Sequence, residues 1–135
     1  MILGIDFGSR RVGVAVADGA MRFARPLEVV DAHTTDPLAR IVQLVDEMEV
    51  SLVVVGRPVS LSGRSGPAVE AQSAFTAALR QKLEVEVVEH DERLTTVVAE
   101  QGMRAAGAGR VARRERRDAV AAQMLLQGYL DAGRP

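Results

Sequence analysis

The chain of 135 residues contains no cysteine. That excludes a disulfide framework, a thiol nucleophile and a cysteine zinc site. Histidine occurs only as His33 and His90, too few for a zinc triad. Aromatic residues are nearly as scarce. Phe7, Phe23, Phe75 and Tyr129 are all there are, so recognition by base stacking is a poor expectation. No apolar run is long enough to cross a bilayer. The opening MILGIDFG is strand-like and has no basic segment or cleavage site, which reads as a cytosolic (cytoplasmic) protein. Gly63-Arg64-Ser65-Gly66 is not a P-loop, because no Gly-Lys-Ser/Thr follows it.

What is present is a core. Apolar residues make up 47% of the chain, so disorder is not expected and residues 1–135 fit a single domain. The net charge of −1 hides an asymmetry. Residues 1–92 carry eight Arg and one Lys against fourteen acids, whereas residues 93–135 carry eight Arg against four. A polyanion would dock on the second part. A solvated basic helix end would give the same pattern.

The hydropathy period changes along the chain. Ile2 to Phe7 and Val12 to Ala17 read as strands joined by the turn Gly8-Ser9-Arg10-Arg11, and Pro26 to Asp31 as a third. Such short turns pair strands antiparallel. Asp36-Pro37 is a helix start, with Leu38, Ile41, Val42, Val45 and Met48 at helical spacing. Leu52 to Val55 is continuously apolar, as in a strand buried on both faces. A helix from Ala68 to Leu83, a strand from Val85 to His90, a helix from Leu94 or Thr95 and a last helix from about Arg113 to Asp131 follow. In that last helix Val120, Met124, Leu125 and Tyr129 form the expected buried face. The order predicts an α/β fold with a five-stranded mixed sheet, three antiparallel strands leading into parallel βα units flanked by helices.

Three acids stand out. Asp6 lies inside an apolar strand, where a bare carboxylate is costly to bury unless it is paired, hydrogen-bonded or bound to metal. Asp91-Glu92-Arg93 follows a strand directly, at the end where open α/β sheets place ligands. Asp118 marks the point where the last helix passes from charged to apolar. Each has an ordinary alternative: turn amides for Asp6, a surface pair with Arg93 for Asp91 or Glu92, an i, i+4 pair with Arg114 for Asp118. Taken together, crowded acids repel unless a cation joins them. Mg²⁺ favours carboxylate oxygens, and two such ions would grip both the attacking water and the leaving oxygen of a phosphodiester. Arg10, Arg11, Arg57, Arg64 and Arg93 are suited to phosphates, and Arg114 and Arg117 belong to the basic end. The loop Gly56 to Gly66 would close over a strand, or serve as an ordinary mobile loop.

The chain resembles the YqgF (RuvX) family, described as Holliday-junction-resolvase-like or pre-16S rRNA processing nucleases. The resemblance rests on Gly4-Ile5-Asp6-Phe7-Gly8, Arg11-Val12-Gly13-Val14-Ala15 with Asp18, and Ala24-Arg25-Pro26-Leu27. It continues through Val55-Gly56 with Pro58 and Gly63, Asp91-Glu92-Arg93-Leu94-Thr95-Thr96, and Asp118 with Ala121-Ala122 and Leu125-Leu126-Gln127. It covers essentially the whole chain in order. Arg57 stands where the family often has an apolar residue, and Arg117 near where it commonly has Lys.

The resemblance implies an RNase H-like fold and metal-dependent hydrolysis of nucleic-acid phosphodiesters with Mg²⁺ or Mn²⁺. Asp6, Glu92 and Asp118 would be the catalytic, metal-holding carboxylates, with Asp91 a substitute for Glu92. The substrate would be structured RNA, such as the 5′ end of pre-16S rRNA, or branched DNA. Cutting a junction would favour a homodimer, whereas trimming rRNA need not. Two rival readings remain at this point: a non-catalytic binding module for nucleic acid or protein, and an ATPase-like domain in which Asp6-Phe7-Gly8-Ser9 is a phosphate-binding turn.

Overall fold

The computed structural model describes residues 1–20, 23–57, 66–91 and 110–132, the side chains of 110–118 excepted. Five strands and three helices occur among them: β1 (Ile2–Phe7), β2 (Arg11–Asp18), β3 (Phe23–Asp31), α1 (Pro37–Glu47), β4 (Leu52–Arg57), α2 (Pro67–Lys82), β5 (Glu86–Asp91) and α3 (Arg110–Asp131). The strands form one sheet in the order β3-β2-β1-β4-β5. β1–β2 and β2–β3 are antiparallel; β1–β4 and β4–β5 are parallel. This is the mixed sheet expected from the sequence. The expected helix beginning at Leu94 or Thr95 and the loop residues 58–65 lie outside the described residues.

Alternation along the strands sorts the sheet into two faces. Leu3, Ile5, Val12, Val14, Val53 and Val55 pack with Ile41 and Leu44 of α1 and Phe75 and Leu79 of α2. The other face is made of smaller residues, with Ala15, Ala17, Ala24 and Val54 packed under Ala122, Leu126, Tyr129 and Leu130 of α3. The small stripe has a mechanical consequence. A Cβ at Gly4 would stand 2.8 Å from Leu126 Cβ and 3.3 Å from the Ala122 carbonyl oxygen. Only glycine lets α3 come this close.

Local chemistry fixes the helices. Asp36 caps α1, its Oδ1 accepting from the Leu38 N–H at 3.1 Å, with Pro37 in the first turn. Arg40 of α1 then grips Glu28 of β3 in two hydrogen bonds, at 2.9 Å and 2.7 Å. Those bonds raise the Arg40 pKa above its usual value. β3 is an edge strand, and Pro26 within it is tolerated there. At Ala24 two side chains of α3 close the edge: the Ala24 N–H donates to Gln127 Oε1 at 2.9 Å, and Gln123 Nε2 donates to the Ala24 carbonyl at 3.0 Å. An edge position tied down in this way cannot pair with another strand.

One expectation about packing needs correction. Met124, expected in the buried face of α3, is 38% exposed, and the buried positions are Ala121, Ala122, Leu125, Leu126, Tyr129 and Leu130. Val120 is half-buried. The contact with Gly4 selects Ala122 and Leu126 as the seam and turns Met124 outward. In α2 the buried face includes two polar residues, Gln72 and Thr76. Gln72 Nε2 donates to Thr76 Oγ1 at 2.9 Å and to Glu89 Oε2 at 3.0 Å. Hydrogen bonding is what admits them to the interior.

Gly4→Ala tests the seam between β1 and α3. It should cost about 1–3 kcal/mol through overpacking and lower the thermal midpoint by several degrees. A variant melting with the wild type in calorimetry would show that α3 is not seated this tightly.

Candidate nucleic-acid site

Asp6 is half-buried and sits on the α3 face of the sheet, two residues beyond Gly4. Its partner across the β1–β2 ladder is Gly13. On the other side, β1 and β4 pair through Ile5 and Val55, so Gly56 stands in line with Asp6 one step further on. The carboxylate therefore has glycine on both flanks. Gly13 in turn pairs with Val29, and Gly56 with His90. A single row, Val29–Gly13–Asp6–Gly56–His90, thus crosses the sheet at the carboxyl end of its parallel strands, where ligands of open α/β sheets bind.

His90, at the end of this row, packs against α3. Its ring lies edge-on to Tyr129, with centroids 5.8 Å apart and planes at 90°. Asp91 is exposed and shares its face with Val87, on the α2 side of the sheet and opposite Asp6. Arg57, paired in register with Asp91, lies on that same α2 side.

Asp118 is within α3, one turn before Ala122. Its side chain lies outside the described residues, as do Glu92, Arg64, Arg93 and the side chains of Arg114 and Arg117. Among the described residues no three acidic or histidine side chains are grouped closely enough to hold a metal ion. Asp6 alone is placed fully, and its chemistry fits a hard divalent cation: a partly sheltered carboxylate, flanked by glycine and near the sheet's ligand-binding end.

The hairpin beyond Asp6 is tightly built. A Cβ at Gly8 would stand 2.6 Å from the Arg11 carbonyl oxygen, so this turn requires glycine. The Ala32 N–H donates to the Arg10 carbonyl at 2.9 Å, tying the β1–β2 turn to the chain leaving β3. Arg10, Arg11, Val29, Asp31 and His33 line a cleft of about 460 Å³ between them. Arg10 and Arg11 are sites expected from the sequence. His33 is not; the only signal for it is its position two residues after a strand-ending acid. Gly13 and Gly56 could have been marked by glycine's rarity inside strands, where it often signals close approach of a ligand or backbone.

The fold defines a class before any name is needed: it is the RNase H-like fold of Holliday junction resolvases. Thermus thermophilus RuvC in complex with a Holliday junction substrate superposes with a TM-score of 0.61 at 19% identity, covering 98% of this chain and 94% of that one. The Fowlpox virus resolvase, solved with Holliday junction DNA, superposes at 0.58 with 10% identity and 99% coverage of both chains. The chain itself belongs to the RuvX family, whose model, described as "Holliday junction resolvase", matches residues 1–132. It is 44% identical over 135 residues to a Chloroflexus aurantiacus protein named "Putative pre-16S rRNA nuclease", covering 99% of this chain and 88% of that protein.

Gly8→Ala tests the turn that presents Arg10 and Arg11. The backbone oxygen it meets cannot swing aside, so the variant should lose about 1–3 kcal/mol. Urea denaturation measures the loss; an unchanged midpoint would mean that the turn has room to spare.

Proposed function

We propose that the protein is a divalent-metal-dependent endonuclease that hydrolyses phosphodiesters in structured nucleic acid, with the 5′ end of pre-16S rRNA as its first candidate substrate. The observation that carries the proposal is the half-buried Asp6 carboxylate, flanked by Gly13 and Gly56 at the carboxyl end of the parallel strands. The rRNA assignment draws on the Chloroflexus relative, whose name specifies that substrate and which aligns with 99% of this chain. Branched DNA is the second reading, favoured by the family's description and by the junctions bound to its structural neighbours.

Asp6, Glu92 and Asp118 are the residues we assign to the metal. Residue 118 lies one helical turn from Ala122, which touches Gly4, and Asp6 lies two strand residues from Gly4 on the same face. Each acid is therefore about 6–7 Å of backbone from one shared contact, a separation compatible with a common ion. Asp91 faces the α2 side, so of the two adjacent acids Glu92 is assigned the ligand role. Mg²⁺ or Mn²⁺ bound there would supply an activated water and neutralise charge on the leaving oxygen.

The remaining work falls to the chain. Asp6 fixes the position of the reaction on a rigid central strand, as a productive site requires. Arg10 and Arg11 on the hairpin present guanidiniums toward the same end of the sheet, where they would hold phosphates by paired hydrogen bonds. Arg57, Arg64, Arg93, Arg114 and Arg117 would extend this contact along the polyanion. Such binding should weaken steeply as salt rises. Neither histidine is needed as a general base when the metal activates the water. A homodimer would suit the branched-DNA reading, because it presents two such sites. No described helix is long and apolar enough to cross a membrane.

The test is a cleavage assay on a pre-16S rRNA fragment and on a four-way DNA junction, with Mg²⁺, Mn²⁺ or chelator. Wild-type protein should cut one of them with metal, and Asp6→Asn should fall to the background of the chelated reaction. Equal product from Asp6→Asn and wild type would assign the activity to a contaminant and overturn the proposal.

A further inference from the structure

The row through Asp6 ends, on its β3 side, at Val29, and Val29 lines the cleft with Arg10, Arg11, Asp31 and His33. Val29 and Arg11 belong to the same face as Asp6, because Val29 pairs with Gly13 and Arg11 lies two residues before Gly13 on β2. Cleft and carboxylate therefore share a face and an end of the sheet. Two strand spacings, about 10 Å, separate Val29 from Asp6.

The lining is unbalanced in charge. Two guanidiniums share the lining with one acid, Asp31, and the His33 imidazole adds a further hydrogen-bonding group. The Asp31 Oδ1 accepts from the His33 N–H at 2.8 Å, and its carbonyl from the Thr35 N–H at 2.9 Å. Asp31 thus shapes the turn that carries His33. Arg10 makes no ion pair among the described residues. The two turns are braced by the bond from the Ala32 N–H to the Arg10 carbonyl, so the backbone that carries the donors is fixed before any ligand arrives. At about 460 Å³ the cleft is of ligand-binding size, with room for a phosphate and part of its sugar.

We infer that the Arg10–Arg11–His33 cleft is an anchoring subsite for a phosphate group of the nucleic acid, on the same strand as the bond cut at Asp6 and close to it. The inference rests on the proposed nuclease function for the identity of its ligand. It adds His33 to the contact residues and assigns the subsite a task, fixing the register of the strand without reading its sequence. The anion is either an internal phosphodiester or a terminal phosphomonoester, which share the chemistry that two guanidiniums and an imidazole recognise.

Binding in chelator separates this subsite from catalysis. Fluorescence anisotropy is measured with a labelled RNA hairpin carrying a single-stranded tail, with and without a 5′-phosphate, across a salt series. Asp6→Asn should bind both RNAs. Arg10→Ala combined with His33→Ala, both at exposed turn positions, should bind about tenfold more weakly, with a salt slope smaller by about one. Lys82→Ala, which removes a charge at the far end of α2, should leave affinity and slope unchanged. A dependence on the 5′-phosphate that the double variant loses identifies a terminal phosphate; equal loss on both RNAs identifies an internal one. Binding by the double variant within twofold of wild type, with an unchanged slope, overturns the inference. If wild type never cleaves yet the double variant loses binding, the subsite stands and the nuclease reading falls. If wild type cleaves and the double variant binds normally, the reverse holds.

Discussion

The close approach of α3 to β1 sets the geometry of everything else. Gly4 leaves room for Leu126 and for the Ala122 carbonyl where a methyl group would collide. Ala15, Ala17 and Ala24 continue the low surface on which the helix lies. Larger residues would lift α3, open a gap under Leu126 and Tyr129, and forfeit dispersion contacts as well as apolar burial. The seam also sets a distance. The helix segment that carries Asp118 and the strand that carries Asp6 meet at one contact, so the helix cannot rise from the sheet without carrying one proposed ligand away from the other.

The two faces of the sheet divide the labour. The face under α1 and α2 is filled by Val, Leu, Ile and Phe side chains and forms the larger core cluster. The face under α3 is built of Gly and Ala near the site, and there the row through Asp6 has glycine on both sides. A carboxylate placed in the first core would have no water and no partner, at a cost of several kcal/mol. On the second face it is half-buried at the end of the strand. The same end carries the Arg10–His33 cleft, so the guanidiniums and the carboxylate occupy neighbouring ground on one surface.

Much of this was legible in the sequence because it is periodic or chemically marked. Short turns announced the antiparallel meander, the unbroken apolar run of β4 a strand buried on both faces, and Asp36-Pro37 the start of α1. The identity of the two faces was harder to read. Ala15 and Ala17 look like filler until Gly4 and Leu126 are seen in contact. Met124 fits the helical period of α3, yet it points outward because the seam selects Ala122 and Leu126 instead. Gln72 and Thr76 were missed because a polar residue is admitted to a core by its partners, and Glu89 comes from another element. At the site, the row around Asp6 depends on strand register across three neighbours, which no single segment encodes. His33 acquires a role only when the β3 exit folds against the hairpin.

The central claim is that Asp6, Glu92 and Asp118 converge on divalent metal. Anomalous diffraction from a crystal soaked in Mn²⁺ tests it most directly. The account predicts manganese beside Asp6, with oxygens of all three carboxylates at about 2.1–2.2 Å. Manganese bound elsewhere, or held at Asp6 with Glu92 and Asp118 far beyond ligand distance, would contradict it.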